Sequence, residues 1–232
     1  MQQTVGNFVD RSPASAGREP FATNIVDETV SIFGLDIANT TLEHASTWII
    51  NRATHGLPTQ ISFLNADCVN IMHRDQAYRD ALIHSDRIFA DGIGVRLAAR
   101  FFGYSLRDNV NGTDLFPVLC SHAATAGIGI YLFGAKDGRA QKAAAAMQNA
   151  YPGLVVSGSH HGYITDADAE ARLIESINSS GAGVLLVALG APAQELWIAR
   201  NRDRLRPAVI LGVGGLFDYY SGSVPRLSLI HI

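Results

Sequence analysis

Three short apolar segments of the sequence each end in a polar side chain that could bind or deprotonate a ligand. Asn65 follows Ile-Ser-Phe-Leu, Asp91 follows Arg-Ile-Phe-Ala, and Asp218 follows a segment that ends in Gly-Val-Gly-Gly-Leu-Phe. If these segments are parallel strands, their carboxyl ends meet at one crevice of the sheet, where open α/β proteins bind ligands. A carboxylate in such a crevice can act as a general base, and an amide can hold a hydroxyl group.

Asp91 is the candidate base. An Asp-Gly pair is also common in turns, and the pair by itself does not decide between a base and a turn. The pattern from Ile93 onward is helical, so Asp91-Gly92 does not join two strands of a hairpin. An aspartate directly before a helix lies in the positive potential of the helix N-terminus, which favours its ionised form.

A second candidate binding corner lies between Gly183 and Ile198. The run up to Leu189 is apolar and lacks alternation, which is typical of a strand covered on both faces. Gly190 begins a tight turn, and Gln194-Glu195 falls in the first turn of the next helix. We therefore predict that a ligand binds at this loop.

The glycine-rich segments match no standard nucleotide motif. Gly92-Ile93-Gly94 lacks the third glycine of a dinucleotide fingerprint, and Gly134 to Gly138 lacks the final Lys and hydroxyl residue of a phosphate loop. The latter segment could still present backbone N–H groups to a phosphate, or form a plain strand-to-helix turn. Gly214, within Gly-Val-Gly-Gly, allows either a close ligand or a tight turn.

We predict no metal site. The pair Asp166 and Asp168 begins an amphipathic pattern, where carboxylates cap a helix. His160 and His161 are adjacent on an extended segment and should point in opposite directions. Tyr163 could stack on a base or pack in the interior, and the sequence leaves both open.

Composition limits the remaining classes. The chain has 232 residues, of which 47% are hydrophobic and 17% charged, and a formal charge of −3. It can bury one full core, and it lacks the basic field of a nucleic-acid-binding protein. Cys68 and Cys120 are too few and too far apart for a disulfide framework, which favours a cytosolic protein. No apolar run approaches the roughly 20 residues that cross a bilayer, so we expect a soluble or peripheral chain.

Strand and helix patterns alternate, which predicts an α/β, three-layer Rossmann-like fold with a mainly parallel sheet, as a single domain in one or two lobes. The predicted strands are Val30–Ile37, Gln60–Leu64, Arg87–Ala90, Ile128–Phe133, Leu154–Ser157, Val184–Leu189 and Val209–Val213. The predicted helices are Leu42–Ala53, Ala66–His84 with a break near Arg74, Ile93–Phe102, Thr113–Thr125, Gly138–Ala150, Asp166–Asn178 and Ala193–Leu205. Residues 1–28 have the composition of a loose tail, and 29–226 form the predicted domain.

Several of these motifs occur together in the order and spacing of one known family. They are FLNAD at 63–67, ADGIGV at 90–95, NGTDL at 111–115, YPGL and HHGY within 151–163, ALGAPAQELWI at 188–198 and GVGGLFDYYSG at 212–222. From about Val30 to Arg226 the sequence resembles the WecG/TagA/CpsF glycosyltransferases. The resemblance implies transfer of N-acetylmannosamine, its uronic acid or a related hexose from a UDP-sugar donor to a polyprenyl-diphosphate-linked saccharide acceptor. By the same resemblance, the reaction would invert the configuration at the anomeric carbon and need no metal or cofactor. It would serve cell-surface polysaccharide synthesis, including that of teichoic acid, at the cytoplasmic face of the membrane.

The resemblance also assigns roles. Asp91 would be the general base, Asn65 and Gln194 would hold the donor sugar or acceptor hydroxyl, and Tyr163 and Asp218 would face the nucleotide. Further substrate-binding positions are Asn109, Gly112, Asp114, Gly134, Gly190, Glu195 and Gly214. The partners would be the donor, the acceptor and, in the full-length form with the C-terminal tail, the membrane surface, without nucleic acid, and a homo-oligomer is compatible with the family.

The sequence departs from that family at three places. Phe63 replaces a common Thr, Asn109 replaces a common Arg, and Arg107 nearby is not aligned with it. Residues 227–232 do not resemble the arginine-bearing C-terminal appendage of relatives. We therefore expect a chain that folds and binds nucleotide but turns over slowly, with a nucleotide-binding module without turnover as the alternative. A nicotinamide-dependent oxidoreductase is disfavoured because the full glycine fingerprint is missing.

Overall fold

The structure is a computed structural model, and it describes residues 28–224. Its strands are β1 (Glu28–Ile32), β2 (Leu35–Asn39), β3 (Thr59–Leu64), β4 (Arg87–Ala90), β5 (Ile130–Gly134), β6 (Val156–His160), β7 (Val184–Ala188) and β8 (Val209–Gly212). Its helices are α1 (Leu42–Thr54), α2 (Ala66–Met72), α3 (Gln76–Ile83), α4 (Ile93–Phe101), α5 (Gly112–Ala126), α6 (Arg139–Ala150), α7 (Ala167–Ser179), α8 (Ala193–Asn201) and α9 (Leu216–Tyr220). A 3-10 turn, Arg202–Arg204, follows α8.

All the described strands join one eight-stranded sheet in the order β1-β2-β4-β3-β8-β7-β5-β6. Only β1 and β2 pair antiparallel, and every other neighbouring pair is parallel. The carboxyl ends of the central strands therefore lie along one edge. This confirms the predicted single α/β domain with a mainly parallel sheet.

Helices cover both faces of the sheet, which gives three layers. On one face, α1, α5, α6 and α9 pack on alternate strand residues such as Phe63 and Leu186. On the other face, α2, α3 and α4 enclose a cluster around Leu64, and α7 and α8 enclose another around Phe133. Because successive strand residues point to opposite faces and helices cover both faces, β7 is apolar throughout, over Val184–Ala188.

Side-chain caps set where several helices begin. Thr41, Asn65, Asp75, Asn111 and Asp166 each accept a hydrogen bond from the backbone N–H three residues later. Such a bond satisfies one of the N–H groups that a helix start leaves without a partner. Two of these caps, Asn65 and Asn111, also lie at the sheet edge where the site forms.

The first predicted strand, Val30–Ile37, is wrong as a single element. Phe33 and Gly34 have φ values of 58° and 75°, so the chain reverses there and β1 and β2 form a hairpin with Ile32 opposite Leu35. A positive φ at a phenylalanine has no local sequence signal. The predicted break near Arg74 is confirmed, because α2 ends at Met72 and α3 begins at Gln76.

The proposed N-terminal tail lies outside the described residues except for Glu28, which begins β1. Residues 227–232 also lie outside them. The short helix α9, which the pattern did not predict, follows β8 directly after Gly214-Gly215.

A comparison of two glycines tests the packing of β5 against β7. A Cβ on Gly134, at φ 133°, would lie 2.3 Å from the carbonyl oxygen of Ala188, whereas a Cβ on Gly138, at φ 76°, would meet nothing within 4 Å. We expect Gly134→Ala to lower the free energy of unfolding by about 3 kcal/mol or more, because backbone must move. Gly138→Ala should cost only about 1 kcal/mol, from its left-handed conformation. Urea unfolding measures both, and equal losses would contradict this account of β5.

Candidate functional site

Two adjoining cavities open at the carboxyl ends of the central strands. We call the first the Asp91 pocket; its volume is about 340 Å³ and its walls include Asn65, Asp91 and Gln194. The second, the Arg139 pocket, has a volume of about 350 Å³. Gly214 and Gly215 line both pockets, so together they form one crevice.

The pairing of β3 with β4 places Asn65 beside Asp91. Leu64 lies opposite Ala90 in the parallel register, so the two following residues leave the sheet side by side. The backbone N–H of Asp91 donates to the carbonyl oxygen of Leu64 at 2.8 Å. The side chain of Asn65 accepts from the N–H of Cys68 at 2.9 Å, which fixes its orientation at the start of α2.

The electrostatic surroundings of Asp91 make its carboxyl a stronger base than an exposed aspartate. Burial raises its pKa, a hydrogen bond with the Asn65 side chain lowers it, and the negative charge of Asp114 raises it, with a net increase. We expected the N-terminus of α4 to favour the ionised form, but desolvation has the larger effect. A carboxylate with a raised pKa accepts a proton more readily, as general-base catalysis requires.

The next loop holds the Asp91-Gly92 turn in place. Asn109 accepts a hydrogen bond from the N–H of Gly92 at 2.6 Å, so its side chain acts on the backbone behind the pocket. Asn111 accepts from the N–H of Asp114 at 2.8 Å and donates to its carboxylate at 2.7 Å. Asp114 is therefore held at the start of α5 and influences Asp91 by its charge.

Gln194, which lines the Asp91 pocket, and Glu195, which lies behind it, form a buried polar pair. Gln194 accepts from the N–H of Gly214 at 2.8 Å and donates to Glu195 Oε1 at 2.8 Å. A Cβ on Gly212 would lie 2.9 Å from Gln194 Nε2, so glycine makes room for this amide. Gln194 thus fixes the loop that separates the two pockets.

Glu195 lies in a strongly desolvated position. Glu195 is 1% exposed, and its Oε2 atom has no hydrogen-bond partner among the described residues. Burial raises the pKa of Glu195, and the hydrogen bond from Gln194 lowers it by less. Burial also raises the pKa of Tyr78 and of Cys68, and the charge of Glu195 adds to both increases.

The Arg139 pocket carries the positive charge of the crevice. Lys136 and Arg139 line it, and Arg139 forms an ion pair with Asp218. The N-cap of α6 is Gly138, which has no side chain to satisfy the first N–H groups of the helix. The N–H of Arg139 donates to the carbonyl oxygen of Lys136 at 3.1 Å. Lys136 and Arg139 at the positive end of this helix outnumber the one carboxylate of the pocket, Asp218, and form a site that suits a phosphate. The ring of Tyr163 is 61% exposed at the same pocket, where a flat base could stack on it.

The structure separates the predicted site residues into groups. Asn65, Asp91, Gly112 and Gln194 line the Asp91 pocket; Tyr163, Gly190 and Asp218 line the Arg139 pocket; and Gly214 lines both. Asn109, Asp114, Gly134 and Glu195 line neither pocket and support their walls from behind.

Sequence reasoning missed Lys136 and Arg139. Both residues lie in or next to the glycine-rich turn between β5 and α6, which we considered only for its backbone N–H groups. Asp218 lies 79 residues after Arg139 in the chain. Their ion pair therefore depends on the strand order that places β8 beside β7 and β7 beside β5.

The predicted cap at α7 is confirmed, since Asp166 accepts from the N–H of Ala169 at 2.8 Å. Our expectation that His160 and His161 point apart is wrong: β6 ends at His160, and the ring centroids are 4.5 Å apart. Within residues 28–224, no three His, Cys, Asp or Glu side chains are grouped to hold a metal. In the same range, no helix has the length and apolar character needed to span a bilayer.

The chain is similar to a family of glycosyl transferases and to characterised members of it. The family profile described as Glycosyl transferase WecG/TagA/CpsF family matches residues 30–231. An N-acetylglucosaminyldiphosphoundecaprenol N-acetyl-beta-D-mannosaminyltransferase of Bacillus subtilis is 33% identical over 166 residues, which are 72% of this chain and 64% of that protein. A Staphylococcus aureus protein of the same name is 30% identical over 205 residues, 87% of this chain and 79% of the relative. The chain thus spans less than two thirds of the Bacillus protein.

The buried Glu195 predicts a specific dependence of stability on pH. Because its pKa in the folded protein lies above the usual 4.5, the folded chain keeps a proton that the unfolded chain releases. The free energy of unfolding then falls as pH rises from the unfolded pKa through the folded pKa. Glu195→Gln has no proton to release, so its stability relative to wild type should increase with pH across that window.

Urea unfolding of wild type and Glu195→Gln between about pH 4 and about pH 8 measures this difference. The exposed Glu175→Gln serves as the matched control and should follow wild type at every pH. A constant gap between Glu195→Gln and wild type would refute a raised pKa at this carboxyl.

Proposed function

Since the chain belongs to the WecG/TagA/CpsF family of glycosyl transferases, we propose that it transfers N-acetylmannosamine or a related hexose from a UDP donor to a polyprenyl-diphosphate-linked saccharide. The family profile and the two relatives confirm the resemblance seen in the motifs. The names of the relatives support both the sugar and the lipid-linked acceptor. The observation that carries the proposal is a crevice with the half-buried carboxyl of Asp91 at one end and Lys136 and Arg139, beside Asp218, at the other.

In the proposed reaction the donor lies along the crevice. Its uracil base stacks on Tyr163, and its diphosphate contacts Lys136, Arg139 and the N–H groups at the start of α6. The sugar then extends past Gly214 into the Asp91 pocket. In this arrangement the donor crosses Gly214 and Gly215, which line both pockets.

Asp91 is the proposed general base. It takes the proton of the acceptor hydroxyl as that oxygen attacks the anomeric carbon from the side opposite UDP. The new C–O bond forms while the bond from the same carbon to the diphosphate oxygen breaks. The configuration at the anomeric carbon is therefore inverted, and UDP leaves. The cations of the Arg139 pocket offset the charge that develops on the leaving diphosphate, and we propose that no metal is required.

The neighbouring polar residues position these groups. Asn65 orients Asp91 through a side-chain hydrogen bond, and the second N–H of its amide nitrogen can donate to a hydroxyl of the donor or acceptor. Gln194 acts through the backbone of Gly214, because both ends of its amide already have partners in the chain. We propose that the reaction takes place at the cytoplasmic surface of the membrane, where a polyprenyl-linked acceptor is accessible.

Isothermal titration in EDTA tests the donor assignment directly. We expect saturable binding of UDP, and tighter binding of UDP-N-acetylmannosamine than of UDP-N-acetylglucosamine or UDP-glucose. Absence of UDP binding would refute the proposal. Binding of UDP without release of UDP in the presence of donor and acceptor would favour a nucleotide-binding module.

Replacement of Asp91 separates catalysis from binding. Asp91→Asn should lower turnover by about 10²–10⁴-fold, because the amide cannot accept the proton, while the affinity for UDP stays unchanged. The exposed Asp67→Asn, in the first turn of α2, is the matched control and should behave as wild type. Turnover is measured as UDP release, and undiminished turnover of Asp91→Asn would exclude this residue as the base.

The same reaction predicts the pH profile of the wild type. The base must be ionised, and burial raises the pKa of Asp91 above its ordinary 3.8. Turnover should therefore rise with pH through this raised pKa, and the acidic limb should be absent from the residual activity of Asp91→Asn.

The cations of the Arg139 pocket should act on phosphate alone. Lys136→Gln and Arg139→Gln should each weaken UDP binding by about tenfold, the loss of one charge-assisted contact, and leave uridine binding unchanged. Arg200→Gln, on the surface of α8, is the control. Equal losses for UDP and uridine would indicate that the substitutions distort the pocket instead of removing a phosphate contact.

A further inference from the structure

Helix α4 exposes a continuous apolar stripe. Val95 and Ala99 point into the core, whereas Ile93, Leu97 and Phe101 are 63%, 56% and 87% exposed. Residues four positions apart lie on one line along a helix, so these three side chains form a single ridge. Exposed apolar patches of this kind mark interaction surfaces in proteins that are otherwise polar outside.

Aromatic residues extend the ridge beyond the end of the helix. Phe102 and Tyr104 are also exposed, and Phe102 makes edge-to-face contacts with Phe101 and with Phe33 of the β1–β2 hairpin. The ring centroids are 5.7 Å and 6.1 Å apart, respectively. The surface is therefore supported from below by the hairpin.

The charge of this segment differs from that of the whole chain. Residues 93–107 contain Arg96, Arg100 and Arg107 but no acidic residue, although the formal charge of the chain is −3. Arg96 and Arg100 directly precede Leu97 and Phe101, so they flank the ridge. Within residues 28–224, none of the three arginines forms an ion pair. A partner for this surface must be apolar and negatively charged.

These properties favour a lipid surface over a second copy of the chain. A symmetric contact between two α4 helices would bring the arginines of one copy close to those of the other, which is unfavourable. Anionic headgroups complement Arg96 and Arg100, and the boundary between headgroups and acyl chains accepts Leu97 and Phe101.

The position of α4 connects this surface to the site. The helix starts immediately after Asp91-Gly92, so Ile93 lies two residues from the proposed base. A lipid-linked acceptor must bring its hydroxyl to Asp91 while its polyprenyl chain stays in the bilayer. A protein that rests on the membrane through α4 would hold the Asp91 pocket at the headgroup level, where the acceptor saccharide lies.

We propose that the exposed face of α4, formed by Ile93, Leu97 and Phe101 and flanked by Arg96 and Arg100, docks the protein on anionic membrane lipid. The inference rests on the proposed function for its biological purpose, but the surface itself can be tested without turnover.

Vesicle flotation provides that test. Wild type should bind vesicles of phosphatidylglycerol and phosphatidylethanolamine more strongly than vesicles of phosphatidylcholine alone, and added salt should weaken this binding. The double variant Leu97→Gln, Phe101→Gln should reduce binding about tenfold or more. The double variant Arg96→Gln, Arg100→Gln should reduce binding to the anionic vesicles by a similar factor and remove their advantage.

Val155→Gln is the matched control, because Val155 is an exposed apolar residue next to β6, at the opposite edge of the sheet. It should bind vesicles as wild type does. All variants should keep the melting temperature and UDP affinity of wild type, since the changed side chains are on the surface, and Phe101→Gln alone provides a milder change of the same ridge.

Three results would overturn the inference: no binding of wild type to anionic vesicles, equal binding of wild type and the Leu97/Phe101 variant, or a dimer in light scattering that this variant disperses without any vesicle binding. Failure of UDP binding in wild type would count against the proposed function alone. A water-soluble acceptor further distinguishes failure of the docking inference from failure of the proposed function. The Leu97→Gln, Phe101→Gln variant should use this acceptor normally and lose turnover only when the acceptor is embedded in vesicles.

Discussion

The parallel pairing of β3 with β4 on one side and β8 on the other is the constraint on which the site depends. It brings Asn65, Asp91 and the Gly212–Gly215 loop to the same edge, although they are far apart in the chain. The pairing of β7 with β8 and β5 then adds Gln194 and the Arg139 pocket along that edge. A shift of one residue at β3 would turn its apolar side chains to the wrong faces, so the packing of both layers fixes the geometry of the crevice.

Desolvation links the stability of this edge to its chemistry. Asp91 and Glu195 are carboxyl groups whose pKa values are raised mainly by burial, and each has an amide neighbour that partly compensates. The two differ in access: Asp91 lines a pocket, whereas Glu195 is covered and bonded to Gln194. The accessible carboxyl can exchange a proton with a ligand, and the covered one holds the Gln194 amide that shapes the Gly214 loop.

Patterns within single segments predicted the fold well. The apolar run of β7, the cap at Asp166 and the position of Asp91 after β4 each depend on neighbouring residues and were correct. The β1–β2 hairpin was missed because it depends on a positive φ at Phe33. The ion pair between Arg139 and Asp218, and the bond from Gly214 to Gln194, were missed because they depend on strand order, which local patterns do not determine.

The distribution of charge along the crevice favours one orientation of the proposed donor. Asp91 and the nearby Asp114 make one end unfavourable for a diphosphate, whereas Lys136, Arg139 and the start of α6 make the other end favourable. Asn109 adds no charge to this balance because its side chain is a neutral amide, which accepts a hydrogen bond from the N–H of Gly92. In the proposed reaction this balance directs the sugar toward Asp91. Since α4 begins at that same end, the proposed docking through α4 would bring an acceptor to the anomeric carbon from the side away from the diphosphate, as the proposed inversion requires.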